Sequence, residues 1–238
     1  AAPSGFLGGT RDDAASAVTV DTSGNIIVVG ATAGSGFTTV NAIQPEHRGA
    51  GDAFVTKFSP DGQIVFSTYL GGSRADVASA VATDAAGNIY VCGTTESSNF
   101  PAPGGYQRGR RGTADAFVVK FDPTGSTILY GTYLGGNLLD GATAIAVDAT
   151  GRVYVTGATI SVDFPVTTGV VDREMTGVVD AFVTRLSPAG SAIEASTLLG
   201  GQGRDGASSI GLDPAGNVVV AGVTSSLDFP QIMPVQAE

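Results

Sequence analysis

The sequence contains no tryptophan, one histidine and one cysteine among 238 residues. A single cysteine excludes a disulfide framework within the chain and any thiolate zinc cluster, and a single histidine excludes a multi-histidine metal site. Apolar runs are short, as at Ile26–Val29 and Val218–Ala221. None reaches the roughly 20 residues that a membrane helix needs. We therefore expect no cofactor, no metal centre and no membrane insertion.

Charged residues are scarce, at 14% of the chain, and acidic residues outnumber basic ones by 22 to 12. The net charge of −10 disfavours nucleic acid and anionic lipid as partners, because neutralisation of phosphate by basic side chains drives those affinities. The acidic, cysteine-poor composition favours a location in the extracellular space, at the cell surface or in the periplasm.

What the sequence does contain is an internal repeat of about 64 residues. Leu-Gly-Gly occurs four times, at spacings of 63, 64 and 65 residues, and an aspartate follows each copy. These positions are Leu7, Leu70, Leu134 and Leu199, followed by Asp13, Asp76, Asp140 and Asp205. Asp-Ala-Phe-Val occurs at Asp52, Asp115 and Asp180. The recurrence predicts repeats at approximately 10–72, 73–136, 137–201 and an incomplete 202–238.

One repeat contains four strand signals and no segment with helical periodicity. The strands are predicted at Ala78–Asp84, Asn88–Thr94, Asp115–Phe121 and Ile128–Leu134. Tight turns join the first strand to the second and the third to the fourth, whereas a long irregular stretch, 95–114, joins the second to the third. A four-stranded sheet in each repeat, stacked face to face with its neighbours, is a β-propeller blade.

Two further residue types recur at fixed places in the repeat. A glycine on the second strand, at Gly30, Gly93, Gly157 and Gly222, is predicted to stand where a side chain would obstruct the neighbouring blade. A phenylalanine on the third strand, at Phe54, Phe117 and Phe182, is predicted to pack between the sheets.

Several of these segments resemble the bacterial SBBP β-propeller repeats. The resemblance is carried by residues 78–93, Thr132–Gly136, Asp163-Phe164-Pro165 and Asp180–Val183. It implies a β-propeller fold and a secreted or surface-attached protein, and it brings no catalytic residue to this sequence.

We predict an all-β protein, a single β-propeller or partial propeller over residues 1–238, with three complete blades and partial blades at both ends. The N-terminal part is the tail of a fourth strand at Gly5–Gly9, and the C-terminal part is a first and a second strand within 207–224. Closed propellers have about 4 to 8 blades, and an open edge strand invites association. Three explanations stay open. The chain is a piece of a longer polypeptide, it is half of a homodimeric seven-bladed ring, or another protein or an irregular N-terminal segment covers the gap.

Binding residues are expected in the long connections between second and third strands, because variable loops on a rigid scaffold usually carry function. The candidates are Glu46, His47 and Arg48 in the first, Tyr106, Arg108, Arg110 and Arg111 in the second, and Asp172, Arg173 and Glu174 in the third. The basic cluster of the second connection could contact an acidic partner or a glycan, with guanidinium forks and a stacking ring. The recurring aspartates that follow Leu-Gly-Gly are interpreted as structural.

No catalytic residue is assigned. His47 is the sole imidazole and nothing near it resembles a nucleophile elbow, and Cys92 falls inside a buried strand. The predicted function is a non-enzymatic extracellular or periplasmic scaffold or protein-interaction module, with a protein partner or further blades at its open ends. Alternatives are carbohydrate or surface-polymer binding at the long-loop face, and a lyase or hydrolase whose site is completed outside this chain.

Overall fold

The computed structural model describes residues 5–172 and 174–231, which contain fourteen β-strands and no helix. The strands are β1 (Asp13–Val20), β2 (Ile26–Thr32), β3 (Asp52–Phe58), β4 (Ile64–Leu70), β5 (Asp76–Thr83), β6 (Ile89–Thr95), β7 (Asp115–Phe121), β8 (Ile128–Leu134), β9 (Asp140–Val147), β10 (Val153–Thr159), β11 (Asp180–Leu186), β12 (Ile193–Leu199), β13 (Asp205–Leu212) and β14 (Val218–Thr224).

Consecutive strands pair antiparallel in four sheets. Three sheets have four strands, β1–β4, β5–β8 and β9–β12, and the fourth consists of β13 and β14. The all-β prediction of a partial propeller with three complete four-stranded blades is confirmed. We call these sheets blades 1 to 3 and the last one the half-blade.

The predicted strand bounds agree with the structure to within two residues in blade 2. Its third and fourth strands, β7 and β8, have the predicted bounds. The first begins at Asp76 rather than Ala78, because Asp76 pairs with Thr95 at the end of β6.

The N-terminal segment differs from its prediction, because residues 5–12 form no strand. A fourth strand needs a third strand beside it, and no strand of the described residues precedes β1. Leu7 nevertheless packs against the aromatic cluster of Phe37, Phe54 and Tyr69. The predicted N-terminal fourth strand is therefore wrong for the described residues, although this segment still packs on blade 1.

The hydrophobic core lies between neighbouring blades. Ile27 and Leu70 of blade 1 pack with Val91 and Phe117 of blade 2, and a second cluster joins blade 2 to blade 3 in the same way. The first strand of each blade also contacts the first strand of the next. The first strands therefore lie on the inner side of an arc, and the fourth strands form its outer rim.

A β-bulge in the first strand explains the recurring glycine of the second strand. The pairing of the first two strands shifts register beside this glycine in every blade, for example between Ala78 and Ala80 in blade 2. A Cβ on Gly93 would overlap the backbone of Val77 and Ala78, and the other three glycines face the same strand of their own blades. The predicted obstruction by the neighbouring blade is wrong, since the close approach is within the sheet.

The long connections run along the outer rim. In each blade, backbone hydrogen bonds attach the connection to the free edge of the fourth strand. Ser67 and Val40 exchange two bonds in blade 1, and Gly131 N–H donates to the Pro103 carbonyl in blade 2 at 2.9 Å. Edge strands with unpaired backbone groups invite aggregation, and here the protein covers them itself.

Candidate functional site

The connection from one blade to the next is held by a recurring aspartate at the start of the first strand. Asp76 accepts hydrogen bonds from Gly72 N–H (2.7 Å), from Ser97 Oγ (2.8 Å) and from Thr95 Oγ1. Asp140 and Asp205 make the equivalent bonds to Gly136 N–H and Gly201 N–H. These contacts fit the structural role predicted for the aspartates that follow Leu-Gly-Gly.

Two further side chains hold the same connection, and the sequence predicted no structural role for either position. Ser97 Oγ accepts from Arg74 N–H at 2.8 Å and Asn99 Oδ1 accepts from Ser73 N–H at 2.9 Å. Blade 3 and the half-blade repeat the pair as Ser161 with Asp163 and Ser226 with Asp228. Their recurrence four and six residues after the second-strand glycine is the signal that could have found them.

Blade 1 lacks this pair, because Gly34 and Gly36 occupy the two positions. The side chain of Arg11 lies where a Cβ of Gly34 would be, and Thr10 Oγ1 donates to the Ser35 carbonyl at 3.0 Å. Asp13 Oδ1 is buried without a hydrogen-bond partner among the described residues. The first repeat thus departs from the others in its loop chemistry.

A cleft of about 750 Å³ opens beside this altered loop. It is lined by Arg11, Phe37, Glu46, His47 and Tyr69, together with residues 33–36. Glu46 is exposed, whereas His47 is half-buried with its ring edge-on to Tyr69 at 5.7 Å between centroids. The structure therefore brings two of the predicted site residues, Glu46 and His47, to one cleft.

The third candidate of that connection faces elsewhere. Arg48 lines a separate groove beside blade 2, and its backbone N–H donates to Asp52 Oδ2 at 2.9 Å. Asp52 also accepts from Gln44 Nε2 at 2.8 Å. Gln107 and Asp115 repeat this bond in blade 2, so a buried glutamine anchors the long connection in both blades.

The basic cluster of the second connection is partly occupied by its own loop. The Arg110 guanidinium donates to the carbonyls of Gly112 and Thr113, and Arg111 N–H donates to Asp115 Oδ2 at 2.9 Å. Tyr106 and Arg108 are exposed. Of the three arginines, Arg108 and Arg111 keep exposed side chains, while Arg110 serves the loop.

The third connection is also attached to its blade. Asp172 N–H donates to Thr197 Oγ1 at 3.0 Å, and Glu174 N–H donates to Asp172 Oδ1 at 3.1 Å. Glu174 is exposed, and Arg173 lies outside the described residues. The side chain of Asp172 thus organises its own loop.

Pairs of buried carboxyl groups occur where consecutive blades meet. Asp52 and Asp76 both lie against Gly71, and burial raises the pKa of each. The same arrangement surrounds Gly135, where burial raises the pKa of Asp115 and Asp140. Each of these four carboxyl groups accepts at least one hydrogen bond, but Asp52 Oδ1 is buried without a partner among the described residues.

The sole thiol is enclosed as well. Cys92 is buried in β6, and burial raises its pKa to about 12. The thiol is therefore protonated at neutral pH, and a protonated thiol is a poor nucleophile.

These blades define a partial β-propeller. A family model described as the SBBP beta-propeller repeat matches residues 65–101, which run from β4 through β6 to Pro101. The match confirms the predicted resemblance to SBBP repeats over that segment. No curated protein matches the chain at a significant level. No helix of the described residues is long and apolar enough to cross a membrane, and those residues include no group of three acidic, histidine or cysteine side chains arranged to hold a metal.

Proposed function

We propose that this chain is a non-enzymatic scaffold outside the cytoplasm whose two open sides bind other protein surfaces. The β-propeller repeat fold supports the role of a scaffold or interaction module. Loops that are attached along the rim and at every blade junction are already ordered, so a partner that binds them loses little additional entropy.

The observation that carries the proposal is the exposure of core positions at both ends of the arc. Ile26 in blade 1 is 38% exposed, whereas Ile89, its equivalent in blade 2, is fully buried. At the other end Val219 is 59% exposed, whereas the equivalent Ile27 and Tyr90, which face the next blade, are fully buried. Residues that form a blade interface inside the arc thus face solvent at its ends, and exposed apolar surface of this kind marks interaction sites.

Light scattering on the purified chain tests whether these two faces associate. We expect the mass to rise above 23.7 kDa with protein concentration, since apolar faces that lack their partner bind each other. Ile26→Lys and Val219→Lys should each reduce this association. Leu129→Lys is the matched control, because Leu129 is also an exposed strand residue but lies on β8 of blade 2, away from both ends of the arc. A constant monomer mass, or equal effects of all three substitutions, would contradict the proposal.

The location outside the cytoplasm is supported by the acidic composition and by the single, buried cysteine. Protease added to intact cells of the source organism should degrade the protein, or should do so once the outer envelope is opened. Degradation only after lysis of the inner membrane would place the protein in the cytoplasm and contradict this part of the proposal.

A further inference from the structure

An apolar pocket of about 280 Å³ lies between blade 3 and the half-blade. Its walls come from the end of blade 3, from both strands of the half-blade and from the loop that follows β14. The lining includes Ala181, Leu199, Ala207, Val220, Gly222 and Phe229.

The equivalent residues of blades 2 and 3 enclose a phenylalanine side chain. At the junction of blades 2 and 3, the residues equivalent to Ala181, Leu199, Ala207, Val220 and Phe229 are Ala116, Leu134, Ala142, Val155 and Phe164. All five belong to the cluster that buries Phe182 of β11. In blade 2 the corresponding five residues bury Phe117 of β7. The pocket is therefore the place of a phenylalanine from a third strand.

Strand register places this phenylalanine beside the recurring glycine. Gly30 pairs with Phe54, Gly93 with Phe117 and Gly157 with Phe182. Gly222 holds the same position on β14, and among the described residues β14 pairs only with β13. The free edge of β14 thus offers the backbone groups to which such a strand would bind.

A second aromatic ring completes the wall. A phenylalanine in the loop that follows the second strand packs, with tilted rings, on the third-strand phenylalanine in every complete blade, with centroids 4.6, 4.4 and 4.6 Å apart. These pairs are Phe37 with Phe54, Phe100 with Phe117, and Phe164 with Phe182. Phe229 holds the same position in the half-blade and lines the pocket.

We propose that β14 and this pocket form a binding site for an extended strand of a partner polypeptide, with a phenylalanine opposite Gly222. The strand runs antiparallel to β14 and resembles Asp-Ala-Phe-Val, with a small residue before the phenylalanine and a β-branched residue after it. Addition of a strand to an exposed sheet edge is an established mode of peptide recognition. This inference rests on the proposed interaction function and names the chemistry of one partner.

A second copy of the chain is a poor source of this strand. Its three third-strand phenylalanines, Phe54, Phe117 and Phe182, are all buried in their own blades. To donate one of them, a complete blade would have to unfold.

The test uses a synthetic peptide of residues 180–199, which carries the β11–β12 hairpin, labelled with a fluorophore and titrated with the purified chain. We expect saturable binding, and we expect Phe182→Ala in the peptide to weaken it at least about tenfold, since a buried aromatic anchor dominates such interfaces. A second peptide with benzoylphenylalanine at position 182 should crosslink to β14 or to the loop at Phe229.

Two outcomes would overturn the inference. One is equal affinity for the wild-type and Phe182→Ala peptides, and the other is crosslinking away from the half-blade. Ala207→Leu, which narrows the pocket, should weaken binding while circular dichroism confirms an unchanged fold. Self-association of the chain is measured separately. If the chain self-associates but the hairpin peptide does not bind, the proposed pocket is rejected and the proposed association of the apolar end faces stands. If the hairpin peptide binds and the chain stays monomeric, only the proposed association of the apolar end faces is rejected.

Discussion

At the scale of single residues, the recurring glycine of the second strand shows what a repeated sequence reveals and what it hides. The sequence identifies Gly30, Gly93, Gly157 and Gly222 as one position, and that identification is correct. The sequence predicted that this glycine contacts the neighbouring blade, whereas it contacts the first strand of its own blade. The error arises because a β-bulge leaves no local signature in the sequence apart from the glycine itself. Only the pairing of the two strands in the structure shows how closely the first strand approaches this glycine.

Substitution of Gly93 tests this close approach. A Cβ there would overlap the Val77 carbonyl, so we expect Gly93→Ala to lower the free energy of unfolding by about 3 kcal/mol, as overpacking does. Gly211→Ala is the matched control, because Gly211 also lies in a strand and has open space around it. It should change the stability by less than about 1 kcal/mol. Urea titration measures both, and equal effects would contradict the explanation.

At the scale of elements, the strands were largely predictable and the courses of the long connections were not. Alternation and tight turns mark β7 and β8 without ambiguity. The path of the connection down the rim depends on hydrogen bonds such as Tyr133 N–H to the Gln107 carbonyl (2.9 Å), between residues far apart in sequence. The glutamines that anchor it do carry a signal, since Gln44 and Gln107 both stand eight residues before the Asp-Ala-Phe-Val aspartate.

Removal of one glutamine should loosen a long connection without unfolding its blade. In Gln107→Ala, Asp115 loses a donor at 2.8 Å and Gly135 N–H loses its acceptor. We expect a loss of about 2 kcal/mol from these buried unpaired groups. Hydrogen exchange should become faster in 104–114, whereas the exposed control Gln63→Ala should leave both stability and exchange unchanged. Unchanged exchange in Gln107→Ala would show that the side chain does not hold the connection.

At the scale of the whole molecule, two sets of carboxyl groups respond to pH in opposite senses. Burial raises the pKa of the junction aspartates Asp52, Asp76, Asp115, Asp140 and Asp180. Asp21 is the opposite case. Burial opposes ionisation there, but hydrogen bonds from Asn25 and from Lys57, whose Nζ lies 2.9 Å away, lower its pKa to about 2. Asp84, Asp148 and Asp213 also have lowered pKa values, through hydrogen bonds to their own turns.

The sign of each set fixes the expected stability profile. A raised pKa means that the folded state binds protons more tightly, so stability rises as pH falls from neutral through the raised values toward the ordinary value of 3.8. A lowered pKa contributes stability above 3.8 that is lost as pH falls toward about 2. Urea midpoints should therefore peak on the acid side of neutrality and fall steeply below pH 3.8. Asp52→Asn should reduce the rise of the urea midpoint as pH falls from neutral, whereas the control Asp12→Asn, at an exposed aspartate, should not. A maximum of stability above pH 7 would contradict this account.

The architecture of the whole chain followed from its period, because repeats of similar size must stack on their copies to bury their apolar faces. The candidate site did not follow in the same way. Glu46 and His47 share a cleft, and Gly34 and Gly36, which replace a side-chain pair that other repeats keep, line the same cleft. The pocket at Gly222 depends on a strand that the half-blade lacks among the described residues. The sequence thus shows where one repeat departs from the others, but it does not show the cleft or the pocket found at those places.

The covering of the outer rim by the long connections has a consequence for assembly. The edges of β4, β8 and β12 are already hydrogen-bonded to the long connections. A strand from another molecule therefore finds no free sheet edge there. The free edge of β14 is the exception, since β14 pairs with β13 alone among the described residues. On its outer rim the molecule is thus protected against open-ended strand addition by its own loops.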